Sequence, residues 1–344
     1  MLESIGCLRH RLEMEGDPLA DILTLAGARC VRVGCLKAGG SWALRFPPPQ
    51  KIKLTAVVKG ACWLAVDGEG APLRLETGDV FVVPAERSFV LSSDLKVRQL
   101  DGLELFRKAT DSVGRVGAGN DFFAIGGHVA LDNDRGSVVA EMLPPLIHVD
   151  GSSSEASTIR WLLDQLVKEV TANRPGAVLA SKQLAQLLFV QIIRFYLAAS
   201  EPLITGWLRA LNDARIAPAL RLMHGEPRRA WRLSELAKQV GMSRTSFALR
   251  FKANAGVGPL TYLQNLRVSI AERGLREGAM SVSELAESLG YASDSAFSNA
   301  FKRKTVSVHR RSEASHREVE PDLRCRGFSI MRFEGSRWRL RRTR

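Results

Sequence analysis

From Arg29 to Leu91 apolar and polar positions alternate in short runs: RCVRVGCL, KLTAVV, CWLAVDG, DVFVVP and SFVL. Gly, Pro and Asp-Gly signals interrupt them every eight to twelve residues. A period of two with that punctuation predicts the short strands of an antiparallel barrel or sandwich. A weaker version continues to about Val149, and GSSS at 151–154 then leads into a helical period. Ile159, Leu162, Leu163, Leu166, Val167 and Val170 form one stripe, and Leu184, Leu187, Leu188, Ile192 and Phe195 form a second. Pro175-Gly176 separates the stripes, so a helical hairpin over 158–171 and 177–199 is expected. Its stripes serve either as core against the strands or as a dimer face. Beyond Thr205 the pattern is helical.

That helical part contains a repeat. LSELAKQVGMSRTSFALRFK (233–252) aligns with VSELAESLGYASDSAFSNAFKR (282–303). Ser234 and Ser283 stand where a helix N-cap is expected. Ala237 and Ala286 are small enough for a second helix to cross closely. Gly241 and Gly290 permit a positive φ in a tight turn. Ser243 or its neighbour caps the next helix, and Phe247/Phe251 and Phe297/Phe301 bury one face of each second helix. This is the grammar of helix-turn-helix units. Between the copies, Leu260 to Arg276 is an uninterrupted helical run of 17 residues. At 1.5 Å per residue it spans roughly 25 Å, enough to hold two reading helices about one DNA turn, roughly 34 Å, apart.

Charge sharpens the picture. Among the 344 residues, positions 1–206 carry 22 Lys+Arg against 23 Asp+Glu, 207–304 carry 16 against 8, and 305–344 carry 11 against 5. The basic excess therefore coincides with the repeat and the tail, which is the electrostatic footprint of a nucleic-acid binder.

The segment WRLSELAKQVGMSRTSFALRFKANAGVGPLTYLQNLRVSIAERGL, continued by SVSELAESLGYASDSAFSNAFKRKT, resembles the DNA-binding domain of the AraC/XylS family of bacterial transcription regulators. The resemblance covers about 207–304. It implies two helix-turn-helix units joined by a linker helix, with one helix of each unit in the major groove of promoter DNA. Carried over by position, Arg244, Thr245, Ala248 and Leu249 in the first unit and Ser295, Ala296 and Asn299 in the second face bases. Arg244 suits guanine, Ala248 a thymine methyl and Asn299 adenine. Arg250, Lys252, Ser298, Lys302 and Arg303 are expected near phosphate. Arg267 matches the linker-helix arginine, with a phosphate or a structural role. RNA polymerase is a further expected partner.

The run KGACWLAVDG…RLETGDVFVVPAERSFVLSS, with LPPLIHVDG and the hairpin after it, resembles the cupin-like effector domain of one branch of that family. The expected fold class is thus α+β and multidomain. A cupin-like effector-sensing barrel occupies 1–150, a helical hairpin for dimerisation and a linker occupy 151–206, and an all-α tandem helix-turn-helix domain occupies 207–304. An Arg-rich tail occupies 305–344. A cupin is also a metalloenzyme scaffold, so the ligand positions matter. Threading the motifs on Gly78, Pro84 and Gly60 puts Phe89 and Lys53 at ligand positions, Glu86 in place of a glycine, and FPPPQ near the His-x-His. His10, His128 and His148 stand isolated, and no catalytic triad, Cys/His pair or phosphate loop is present. No metal, cofactor or catalytic residue is therefore expected. The barrel is expected to hold a small-molecule effector, with Lys53, Thr55 and Phe89 facing inward. A cation there suits an anionic effector, or else forms a core salt bridge or snorkels outward. A cupin-type enzyme tethered to a DNA-binding module is the alternative.

Cys7, Cys30, Cys35, Cys62 and Cys325 are odd in number and lack C-x2-C spacing, which predicts reduced thiols. The N-terminus shows no secretory signal pattern. The apolar window 177–199 is broken by Lys182, Gln183, Gln186, Gln191 and Arg194, which argues against a spanning helix. A cytoplasmic protein without membrane contact is expected.

The stretch FKRKTVSVHRR (301–311) starts as a helix end and becomes Arg-rich, with no lysine after Lys304. Read one base earlier, the codons of Val306 to Arg311 can encode Gly-Val-Gly/Ser-Pro, matching Gly256-Val257-Gly258-Pro259 after the first unit. This points to a missing base near Thr305, with residues 306–344 out of frame or disordered and a second unit of weakened DNA binding. A functional basic arm is the alternative.

Overall fold

Asp17 starts the first helix, α1 (Pro18–Leu25), because its carboxylate accepts from the amides of Leu19 and Ala20 while Pro18 fills a first-turn position that needs no donor. The structure, a computed structural model, describes residues 16–344 except 50, 85–86, 110–111, 132–142, 173, 200–206, 278–279, 292, 294, 296, 300, 302–328, 335–336 and 343–344. It forms two compact units, Met1–Phe297 and Ser298–Arg344.

In the first unit two sheets face each other. One runs β11 (Ile147–Val149), β6 (Val80–Val83), β3 (Ile52–Lys59), β10 (Phe122–Ala130), β1 (Arg29–Gly39) and β9 (Val113–Gly117) in spatial order. The other runs β5 (Leu73–Leu75), β4 (Cys62–Val66), β7 (Phe89–Ser92), β2 (Ala43–Phe46) and β8 (Leu100–Asp101), with α2 (Gly102–Lys108) following β8. All five predicted runs are strands. The alternation on β3 separates two cores. Ile52, Leu54 and Ala56 join a cluster with the helical hairpin, whereas Val57 joins Leu44, Leu64, Phe81 and Phe89 between the sheets. Lys53 and Thr55 consequently share the inner face with Val57.

The hairpin is α3 (Ser157–Ala172) and α4 (Ala177–Ala198). In α4 the buried face is Ala185, Leu188, Phe189, Ile192 and Ile193, while Leu187 of the expected stripe is 44% exposed. The helix is apolar nearly all round, so periodicity alone left its phase ambiguous. By length and composition α4 could cross a membrane. Its buried face instead lies in the core, and Gln186 clamps the start of β1, accepting from Cys30 N (2.8 Å) and donating to Ala28 O (3.1 Å).

The helical part comprises α5 (Trp207–Asn212), α6 (Ala217–Gly225), α7 (Leu233–Gln239), α8 (Arg244–Ala255), α9 (Pro259–Glu277) and α10 (Val282–Ser288). Leu220, Met223, Trp231, Leu236, Phe247 and Phe251 form the core of the first helix-turn-helix. The expected caps shift. The N-cap of α10 is Ser281, in a reciprocal capping box with Glu284, and α7 starts after Arg232 without a side-chain cap. Ser234 and Ser283 lie inside the first turns, because the preceding residues already adopt cap geometry. Ser243 caps α8 by accepting from Ser246 N, and Gly241 and Gly290 take φ of +65° and +76°.

In the second unit, β12 (Ser329–Glu334) and β13 (Arg337–Arg342) pair antiparallel, with Met331 opposite Leu340 and Phe333 opposite Trp338. Residues 302–328, including the start of the tail, lie outside the described residues.

Candidate nucleic-acid interface and effector pocket

Helix α8 has one sealed face and one open face. Phe247 and Phe251 are fully buried and meet edge to face at 5.7 Å, with Tyr262 of α9 against Phe251. Burial of those two rings turns Arg244, Thr245 and Leu249 into solvent, with Ala248 half-buried beside them. Leu249 is 66% exposed. Arg244 has no hydrogen-bond or ion-pair partner among the described residues. A cation, a hydroxyl and a short apolar surface thus share one helix face, a set that can read base edges in a major groove.

Of the residues expected at phosphate, Lys252 is exposed, but two arginines are engaged within the fold. Arg250 Nε donates to Asp213 Oδ2 (2.7 Å), and the same oxygen accepts from Asn254 Nδ2 (2.8 Å). Burial raises the Asp213 pKa, yet the Arg250 hydrogen bond and the Arg215 and Ile216 amides outweigh it and hold the carboxyl below its usual range. Arg267 is tied within the fold: it donates to Pro227 O (2.6 Å), Arg228 O (3.2 Å) and Arg229 O (2.8 Å). The 227–229 loop is also pressed against the turn of the second motif, where a methyl on Gly290 would run into Arg228 O. These ties depend on residues about 40 apart, which no local pattern signals.

In the second motif Ser295 is exposed and helical. Asn299 (exposed) and Ser298 (half-buried) are helical residues of the second compact unit. Ala296, Lys302 and Arg303 lie outside the described residues.

The barrel site is built by strand register. Across the large sheet Phe81, Thr55, Gly126 and Gly34 stand side by side, and the next inner row is Val83, Lys53, His128 and Arg32. Gly126 opens the space: a methyl there would stand 2.7 Å from Lys53 Nζ and 3.4 Å from Thr55 Oγ1. Thr55 Oγ1 is buried without a hydrogen-bond partner, and no acid pairs with Lys53 among the described residues. Burial draws the Lys53 pKa down from 10.5 to about 8. Burial, together with the charges of Lys53, Lys51 and Arg32, pushes His128 down to about 3, so that histidine is neutral at any physiological pH. Phe89 does not join Lys53 directly. It stacks on Phe46 (4.8 Å) and meets Phe81 edge-on. His128 was read from the sequence as isolated, and Gly34, Gly126 and Arg32 were not singled out; the Gly126-Gly127 pair inside a strand was the available sign.

His148 lies 3.3 Å from Asp79 Oδ2, and that carboxylate also accepts from the Glu76 and Gly151 amides, a structural arrangement. Among the described residues no cluster of three His, Cys, Asp or Glu is placed to hold a metal ion. His10 lies outside them. Cys30, Cys35 and Cys62 are buried free thiols, with burial pushing Cys62 up to about 12.

A two-sheet barrel followed by helix-turn-helix elements and a linker helix defines the class of a DNA-binding regulator. Residues 17–198 match the cupin family and residues 236–307 the helix-turn-helix domain family. A protein of Streptomyces lividans named as an AraC-like transcription regulator is 39% identical over 287 residues, 83% of this chain and 94% of its own length. The regulator AlkR of Acinetobacter baylyi is 27% identical over 280 residues, 78% of this chain and 90% of its own. The chain belongs to the AraC-like transcription regulators. Among solved structures, fatty-acid-bound ToxT of Vibrio cholerae matches at 14% identity and a TM-score of 0.30, covering 80% of this chain and 91% of that one.

Proposed function

We propose that this DNA-binding transcription regulator responds to an anionic small molecule held in its barrel by the Lys53 ammonium and the Thr55 hydroxyl above Gly126. The observation that carries this reading is that both groups face one space with their bonding capacity unspent. A half-buried ammonium without a counter-ion and a buried hydroxyl without a partner each cost free energy that a bound carboxylate would offset. Phe89, through Phe46 and Phe81, supplies the apolar wall. The barrel acts as a sensor and not as an enzyme, in the compartment that holds the DNA. Arg244, Thr245, Ala248 and Leu249 read the first half-site, and Ser295, Ala296 and Asn299 the second. Lys252, Ser298, Lys302 and Arg303 face phosphates. The hairpin 158–199 pairs two copies, and RNA polymerase is a further partner. Thermal unfolding with a panel of aliphatic and aromatic mono- and dicarboxylates tests the pocket. Some anion should raise the wild-type midpoint by mass action and leave Lys53→Met unchanged. A wild type that no anion shifts, or an equal shift in the variant, sinks the reading.

A second proposal concerns the tail. The helix-turn-helix match ends at residue 307, beside the suspected missing base near Thr305. This supports out-of-frame residues 306–344 and a loosened second unit. Sequencing the locus decides: the earlier frame must encode Gly-Val-x-Pro followed by a helix.

A further inference from the structure

A largely buried polar chain joins the barrel side of the molecule to the DNA-reading side. His224 of α6 places Nδ1 2.9 Å from Asp21 Oδ2 of α1 and Nε2 2.8 Å from the Tyr262 hydroxyl of α9. The side chains of Asp21 and His224 are both 0% exposed. Its members come from three helices, and Asp21 lies 203 residues from His224 in sequence.

The neighbours of each member give the chain its meaning. On α1, Leu19 and Leu23 are buried in the core shared by the strands and the hairpin, while Asp21 turns the other way. Immediately after α1, Ala28 and Cys30 are gripped by Gln186 of α4, and β1 then carries Arg32 and Gly34 past the barrel space. At the other end the Tyr262 ring meets Phe251 of the reading helix edge-on at 5.6 Å. Beside the triad the two backbones approach closely: a methyl on Gly16 would stand 3.3 Å from Gly225 Cα. Asp21 Oδ1 is buried with no partner. An unmet buried acceptor is a cost that plain structural packing would avoid. A contact carrying that cost is one that a change on either side can open.

We propose that α1 is a coupling strap: through Asp21, His224 and Tyr262 it ties the first reading unit to the start of β1, so that DNA engagement and the state of the barrel bias one shared contact. Coupling of this kind is reciprocal, so DNA alone suffices to reveal it. The test is hydrogen exchange on the full chain, with and without a duplex carrying the upstream region of its own gene. DNA should slow exchange in α8 and alter exchange in residues 18–32 at least threefold. In Asp21→Ala the α8 protection should persist while the response of 18–32 disappears. Tyr262→Phe, which keeps the ring and removes only the hydroxyl, should weaken that response and preserves the test if Asp21→Ala misfolds. The strap is refuted if 18–32 ignores DNA in the wild type, or responds equally in both variants. Protection of α8 reports DNA binding separately, so its loss alone would indict the reading face and not the strap.

Discussion

Lys53 carries the most consequential charge in the barrel. In the unfolded chain it titrates near its ordinary 10.5, and in the fold burial lowers that to about 8. Between those values the unfolded state binds the extra proton, so stability rises with pH across the window; below about 8 the full cost is present. Lys53→Met should therefore raise unfolding free energy at pH 7 by about 1–3 kcal/mol. It should also flatten the wild-type rise between pH 8 and 10.5. Urea titrations of both proteins at pH 7 and 10 check this, and an unstabilised variant would mean that the ammonium is solvated. The inward aim of Lys53 and Thr55 was legible from alternation along β3. The company they keep was not. His128 and Gly126 reach them only through a register formed more than 70 residues downstream.

Among the helices, α8 gives the clearest separation of roles. Lys252 and Arg250 look alike in sequence as basic residues two apart, yet Arg250 is bonded to Asp213 and Lys252 is not. Lys252→Ala should lower the salt dependence of DNA affinity by about one charge while sparing stability. Arg250→Ala should instead lower stability, because it leaves Asp213 with one partner fewer. Fluorescence anisotropy across a salt series, beside thermal melts, distinguishes them. Matching behaviour in both assays would overturn the assignment. The existence of α7 to α10 was readable because the motif repeats, and their caps slipped because Ser281 and Arg232 precede the serines that the repeat highlights.

At the scale of the molecule, the hairpin presents Trp161 at 58%, Val178 at 72% and Leu179 at 65% exposure. Those are large apolar groups left to water on the element proposed to pair two copies. Trp161→Glu combined with Val178→Glu should convert a dimer to monomer in sedimentation equilibrium at micromolar protein. A monomeric wild type, or an unmoved dimer, would remove the hairpin from that role. The succession of a strand-rich part and a helical part was evident from the change of period and the change of charge. The α1 strap was not, since Asp21 sits in an unremarked acidic stretch and its partners lie more than 200 residues away.

The carbonyls of Pro227 to Arg229, held by Arg267 and abutting Gly290, make the two motifs dependent on one short loop. On the proposed reading, the protein would measure spacing as well as letters. Each base pair inserted between the proposed half-sites would rotate the second groove by roughly 35° about the duplex. On the proposed reading of two half-sites, changing their spacing should cost more affinity than changing single letters within them.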